Sequence, residues 1–244
     1  MIQIIKSTAA EINIDPKEVA VYLGYYSANS VSDKLIAECI EEYKKAVSYK
    51  ACIKKIRVCS ESCVDLGFIK TESSSLKKNL CGCEYAYIMA ATTGFDAQRL
   101  IERNAIISPL KGMMTDCIGS AAIEAFCDKI NLSLENTDFL RPRFSPGYGD
   151  MAIDYQKDIV AFLDTKKNIG LTLTDSLMMT PVKSVTAIIG IGKEKNIDLL
   201  LSSMNEIIEK EIGLIFAKVL EHAGVYKRNE EGKKAFIKFC GTVK

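Results

Sequence analysis

The stretch Arg-Pro-Arg-Phe-Ser-Pro-Gly-Tyr-Gly-Asp, residues 141–150, places two prolines, two glycines and two arginines in ten positions. Proline removes backbone donors and glycine weakens helix and strand interiors, so the stretch predicts a loop between regular elements. Pro146-Gly147 predicts a tight turn, with Pro presetting one dihedral and Gly accepting a positive φ at the next. Arg143 offers a planar fork to a carboxylate. Tyr148 offers a ring face and a hydroxyl to a flat or cationic group, and Gly147 lets a ligand approach the backbone. The set suits a small zwitterion with a carboxylate and an aromatic or cationic part. A structural turn with Arg143 anchored to a nearby acid fits the same residues equally well.

Working outward, 155–170 reads as a short amphipathic helix closed by Gly170. "LTLTDS" and "SVTAIIGIG" read as strands separated by "LMMTPVK". Met178 and Met179 read as core filler. Upstream, 96–130 reads as helical with a break at Ser108-Pro109, and Gly119 with its small neighbours reads as a packing site. "CGCEYAYIMAATTGF" reads as a buried strand ended by Gly94, and "KACIKKIRVC" as an edge strand. Nearer the N-terminus, Asp15 and Pro16 predict a helix start with a stop at Gly24, and 30–49 predicts an amphipathic helix. Residues 194–224 read as helix with His222 in its last turn, and 225–244 as a loose basic tail. "GIGKEK" lacks the further glycine and the Gly-Lys-Ser/Thr of a nucleotide loop and reads as a strand end. The strands do not alternate strictly with helices. The expectation is one α+β domain over 1–244, with 1–50 its N-terminal helical part.

Of 244 residues, 48% are hydrophobic and 26% charged, and 32 basic side chains balance 31 acidic ones. That balance gives no footprint for nucleic acid or an anionic membrane, and no signal peptide or membrane span is read, so the expected location is cytoplasmic. The nine cysteines include no Cys-x-x-Cys pair, and His222 is the only histidine. They read as reduced cytosolic thiols, with Cys39, Cys117 and Cys127 acting as small hydrophobes in helices; no metal site is expected. No Ser/His/Asp or paired-carboxylate constellation is found.

The loop and the strand pair together resemble a known family. "RFSPGYGD", a short helix and then "NIGLTLTDSLMMTPVKSVTAIIG" are similar to the activation domain of cobalamin-dependent methionine synthase. That family carries an Arg-x-x-Pro-Gly-Tyr loop, a helix, and a Leu-Thr-Glu-Ser-x-x-Met-x-Pro-x-x-Ser-Val segment. The second piece matches here at Leu173, Thr174, Ser176, Met179, Pro181, Ser184 and Val185, with Asp175 in the acidic position. Two linked motifs in order are more specific than either alone.

The resemblance implies a C-shaped α+β domain with a twisted antiparallel sheet flanked by helices. It implies binding of S-adenosylmethionine (SAM) through Arg143, Ser145, Gly147 and Tyr148. Arg143 would grip the ligand carboxylate in a charge-assisted bond of about 1.5–3 kcal/mol. It also implies a free-standing subunit that serves a corrinoid-binding methionine synthase. Electrons would come from a flavodoxin-type donor, and cobalamin would be carried by the partner, so no complete active site is expected in this chain alone. The loop here is shortened to Gly149-Asp150, and Asp150 or Asp175 is the expected source of negative charge for the sulfonium. An alternative is a corrinoid-protein docking module that no longer binds SAM.

Overall fold

The computed structural model of the chain describes residues 1–24, 30–60, 62–135 and 137–192, with the backbone alone at 30–33. The expectations for the 194–224 helix, His222 and the tail lie outside the described residues. Met1–Glu194 is one compact unit.

Strand β1 (Gln3–Ser7) leads to helix α1 (Pro16–Tyr22). Asp15 caps α1 by accepting the Lys17 backbone N–H at 2.8 Å, and Pro16 sits where a missing N–H costs nothing. Helix α2 (Ser30–Ala46) ends before strand β2 (Tyr49–Arg57). A small hairpin follows, β3 (Val64–Asp65) with β4 (Lys70–Thr71), then the short helix α3 (Ser74–Asn79). Strand β5 (Tyr85–Thr92) runs into α4 (Phe95–Ile107) and α5 (Pro109–Glu135). Ser108, the residue before Pro109, is extended and breaks the two helices apart. Asn104 and Thr115 then join them across the break by a 3.0 Å hydrogen bond. Strand β6 (Phe139–Leu140) precedes the 141–150 loop. Beyond it lie α6 (Tyr155–Phe162), α7 (Thr165–Ile169), and a hairpin of β7 (Thr172–Leu173) with β8 (Met179–Thr180). Strand β9 (Ser184–Gly192) closes the series.

Among the described residues the main sheet has five strands in the order β1-β2-β5-β9-β6, every neighbouring pair antiparallel. The fold is therefore α+β, with an antiparallel sheet between helices. Alternate residues of the central strands enter two cores. Ala51, Ile53, Met89, Ala91, Ala187 and Ile189 face the helical layer of α2 and α5, where Tyr43, Ile118, Ala122 and Phe126 are buried. Cys52, Ile88, Ala90 and Ile188 face Leu76, Leu80, Ile159 and Leu163 on the other side. A strand covered on both faces reads as a continuous apolar run, and "AYIMAAT" has that form.

Two expectations need correction. "KACIKKIRVC" is not an edge strand, because β1 pairs outside it from Gln3↔Ile53 to Ser7↔Tyr49. Its outer half, Lys54–Arg57, extends past β1 and carries the half-exposed alternation that suggested an edge. The single helix expected over 155–170 is two, parted at Asp164 in a left-handed conformation with φ 44°.

Gly119 does serve packing. A Cβ there would lie 2.9 Å from the Lys183 stem, whose ammonium bonds Asp116 at 2.9 Å. Among the helical cysteines, Cys39 and Cys127 are buried and Cys117 is partly so. Burial pushes the Cys127 thiol, and that of Cys52 in β2, up to about 12. No helix among the described residues is long and apolar enough to cross a membrane.

Candidate functional site

The loop begins as a continuation of the sheet. Arg141 donates its backbone N–H to Gly190 at 2.8 Å, and Phe144 exchanges both backbone hydrogen bonds with Ile188 at 2.9 and 2.7 Å. Phe144 turns into the core with Ile188. Alternation then sends Arg143 and Ser145 to the opposite face, toward α5. Ser145 fixes that placement by donating its hydroxyl to the Thr186 carbonyl at 2.7 Å. The chain next bends over Pro146-Gly147, and the Tyr148 N–H closes the turn on the Ser145 carbonyl at 3.1 Å. Gly147 has φ +90°, the value a type II turn demands at its third residue. Tyr148 emerges 57% exposed, its ring meeting Phe144 edge-on at 5.9 Å.

Arg143 reaches α5, where Glu124, Asp128 and Asn131 share one face at helical spacing. Its two terminal nitrogens bond Asp128 at 2.7 Å and Glu124 at 2.8 Å. Desolvation opposes the guanidinium charge, but the Asp128 hydrogen bond and the charges of Cys127, Asp128 and Glu124 outweigh it. The pKa therefore ends above its ordinary value. The guanidinium is 20% exposed and its partners 39% and 65%, so this cluster sits at a wall open to solvent, not in the core.

A groove of about 600 Å³ lies between α5, the turn and the start of β9. That is within the range of ~300–1,000 Å³ usual for small-molecule sites. Arg143, Ser145 and Tyr148 line it together with Glu124, Asp128 and Asn131. Gly147 sits inside the turn that carries Ser145 and Tyr148. Asn131 Oδ1 is buried without a hydrogen-bond partner among the described residues, and a ligand N–H would satisfy it.

The expected acids are elsewhere. Asp150 accepts from Ser73 Oγ at 2.5 Å, Ser74 N at 2.8 Å, Ser74 Oγ at 2.7 Å and Ser75 N at 3.1 Å. The Ser73 hydrogen bond first, then those of Ser74, hold its carboxyl well below the usual carboxylate range. Asp150 is a clasp fastening the loop to the first turn of α3. Asp175 is exposed in the β7–β8 turn, outside the groove lining. The acids that line the groove are Glu124 and Asp128. On a long helix of low sidedness, nothing in their local sequence marks them. Met179 packs against the second core and also lines the groove, whereas Met178 is 58% exposed and is not core filler.

Residues 130–197 match the family described as "Vitamin B12 dependent methionine synthase, activation domain". That span contains the loop, the β7–β8 hairpin and β9. The solved MetH reactivation domain bound to AdoHcy has the same fold, with a TM-score of 0.60 over 78% of each chain. Over residues 130–197 the chain is similar to that activation domain, and its fold is the fold of the solved domain. At 14% identity the structural likeness concerns the fold of the activation domain, not its contacts. Curated relatives match a different kind of protein over a short piece. Galactose-1-phosphate uridylyltransferase of Fusobacterium nucleatum is 53% identical over 57 residues, 22% of this chain and 11% of that enzyme. The enzyme of Ligilactobacillus salivarius is 47% identical over 51 residues, 21% of this chain and 10% of its own length. The chain thus spans about a tenth of the curated relatives it matches, too little to carry their activity.

Proposed function

We propose that the chain is a SAM-binding reactivation subunit of cobalamin-dependent methionine synthase. It would act in the cytoplasm on a corrinoid-binding partner, with a flavodoxin-type protein as electron donor. The observation that carries this reading is the groove itself. It joins the turn at Pro146-Gly147, the Tyr148 ring and the Arg143 guanidinium with the carboxylates of Glu124 and Asp128. Arg143 has N–H donors beyond those given to Glu124 and Asp128 and would hold the ligand carboxylate. The two acids hold the guanidinium in place and offer negative charge to the ammonium and sulfonium. Tyr148 and the backbone at Gly147 would flank the nucleoside. The partner's cobalamin supplies the redox and methyl-accepting chemistry when bound. This chain's part is to bind the methyl donor and present it at a surface.

A second reading draws on one specific observation. Because Arg143 is already paired to Glu124 and Asp128, the same scaffold serves a corrinoid-docking module that has lost SAM. One experiment decides. A methionine synthase stripped of its own activation domain is oxidised to the cob(II)alamin form and given a reductant, SAM and this chain. Loss of the cob(II)alamin spectrum that requires both SAM and the chain supports the subunit. Complex formation without SAM-dependent spectral change supports the docking module.

A further inference from the structure

The charges around the groove do not cancel. Among the described residues Arg143 is the one cationic side chain lining it, against Glu124 and Asp128. Helix α1, packed along α5, adds to the excess. Burial first, then the charges of Asp128, Asp15 and Glu124, push the Glu18 carboxyl above its ordinary value. Tyr22, one turn further along α1, is raised by burial and then by Glu124, Glu18 and Asp128. Glu18 therefore lies within electrostatic reach of Glu124 and Asp128, the two acids paired with Arg143.

Resting on the ligand reading above, we infer that the groove selects by charge. It holds an S-adenosyl sulfonium in preference to the corresponding thioether, and Glu18, outside the groove lining, helps determine that specificity. The two ligands differ by one methyl group and one positive charge. The sulfonium form carries a carboxylate, an ammonium and the sulfonium, a net charge of about +1 at neutral pH; the thioether form is neutral overall. A unit charge about 8 Å from one carboxylate, at an effective dielectric constant of about 70, is favoured about threefold. One lining acid in excess of Arg143, together with Glu18, gives a preference of about tenfold at low salt. Donating the methyl group removes the charge that held the ligand, so the spent nucleoside leaves more readily than the fresh one binds.

Calorimetric titration of the whole chain with SAM and with S-adenosylhomocysteine tests this, at low salt and in about 1 M KCl, where the Debye length is about 3 Å. Expected are a SAM preference of about tenfold, its collapse in high salt, and a fall of about threefold in Glu18→Gln. Equal affinities for the two ligands, or a preference indifferent to salt, overturn the inference and leave the ligand reading standing. A salt-sensitive preference unchanged in Glu18→Gln removes Glu18 from it. No heat with either ligand from a chain folded by circular dichroism overturns both the ligand reading and this inference. The salt arm uses the wild-type chain and does not depend on how the variant folds.

Discussion

Gly147→Ala tests whether the turn at Pro146-Gly147 sets the site. The backbone there has φ +90°, and an added Cβ would meet Ile153 Cδ1 at 3.2 Å. A left-handed conformation costs an L-residue about 1–2 kcal/mol. Alanine also narrows the unfolded ensemble, which offsets about 0.4–1 kcal/mol. Ile153 is 44% exposed and free to swing outward, so the contact adds little. The net cost is on the order of 1 kcal/mol, a fall in Tm of about 2–4 °C for a chain of this size. The function should suffer more than the stability. Relaxing the turn breaks the Tyr148 N–H to Ser145 carbonyl bond and moves both residues in the groove wall. Thermal denaturation followed by circular dichroism, paired with SAM titration, reads both effects. Wild-type Tm together with wild-type affinity would show that the turn tolerates a side chain and does not set the seat. Gly149→Ala should be the worse lesion. At φ +56° its Cβ would overlap the side chain of Ser75, whose backbone N–H is held by Asp150.

Arg143→Ala should weaken SAM binding about 10- to 150-fold, the range for hydrogen bonds to a charged group. It should change stability by no more than about 1 kcal/mol, since the paired acids reach solvent. Intact affinity would move the carboxylate contact elsewhere. Asp150→Asn should flatten the acid limb of a Tm-against-pH curve. A depressed carboxyl contributes stability that is present above its ordinary pKa of about 4 and lost as pH falls through the folded value, and the amide cannot titrate. Superimposable curves would deny the clasp. Thiol labelling should divide the cysteines by burial. Cys59 and Cys81 react in the native chain, whereas Cys39, Cys52, Cys83 and Cys127 react only on unfolding. For Cys52 and Cys127 the raised pKa means stability complete below about 8.5 and lost as pH rises through about 12. Peptide mass spectrometry of the labelled protein checks the assignment.

Local chemistry was legible in the sequence, and long-range geometry was not. The α1 cap, the break at Pro109, the buried run of β5 and the Pro-Gly turn each depend on residues within a few positions, and each is found in place. Strand β2 was misplaced because an edge is defined by what lies beside it, and β1 comes from a short segment some fifty residues earlier. Asp164 broke a helix that periodicity alone would continue. At the site, the loop residues were found by their turn chemistry. Their acidic partners were missed because Glu124 and Asp128 approach Arg143 only once α5 packs across the sheet. Asp150, in the same loop, is committed to α3 instead.

Hydrogen exchange with and without SAM, resolved by peptide, tests the central claim most directly. If the groove between α5 and the turn is the seat, SAM should slow exchange across 141–151 and along α5 from Glu124 to Asn131, and the protection should vanish in Arg143→Ala. Saturating SAM that leaves both segments unchanged, or protects only other parts of the chain, would contradict the account.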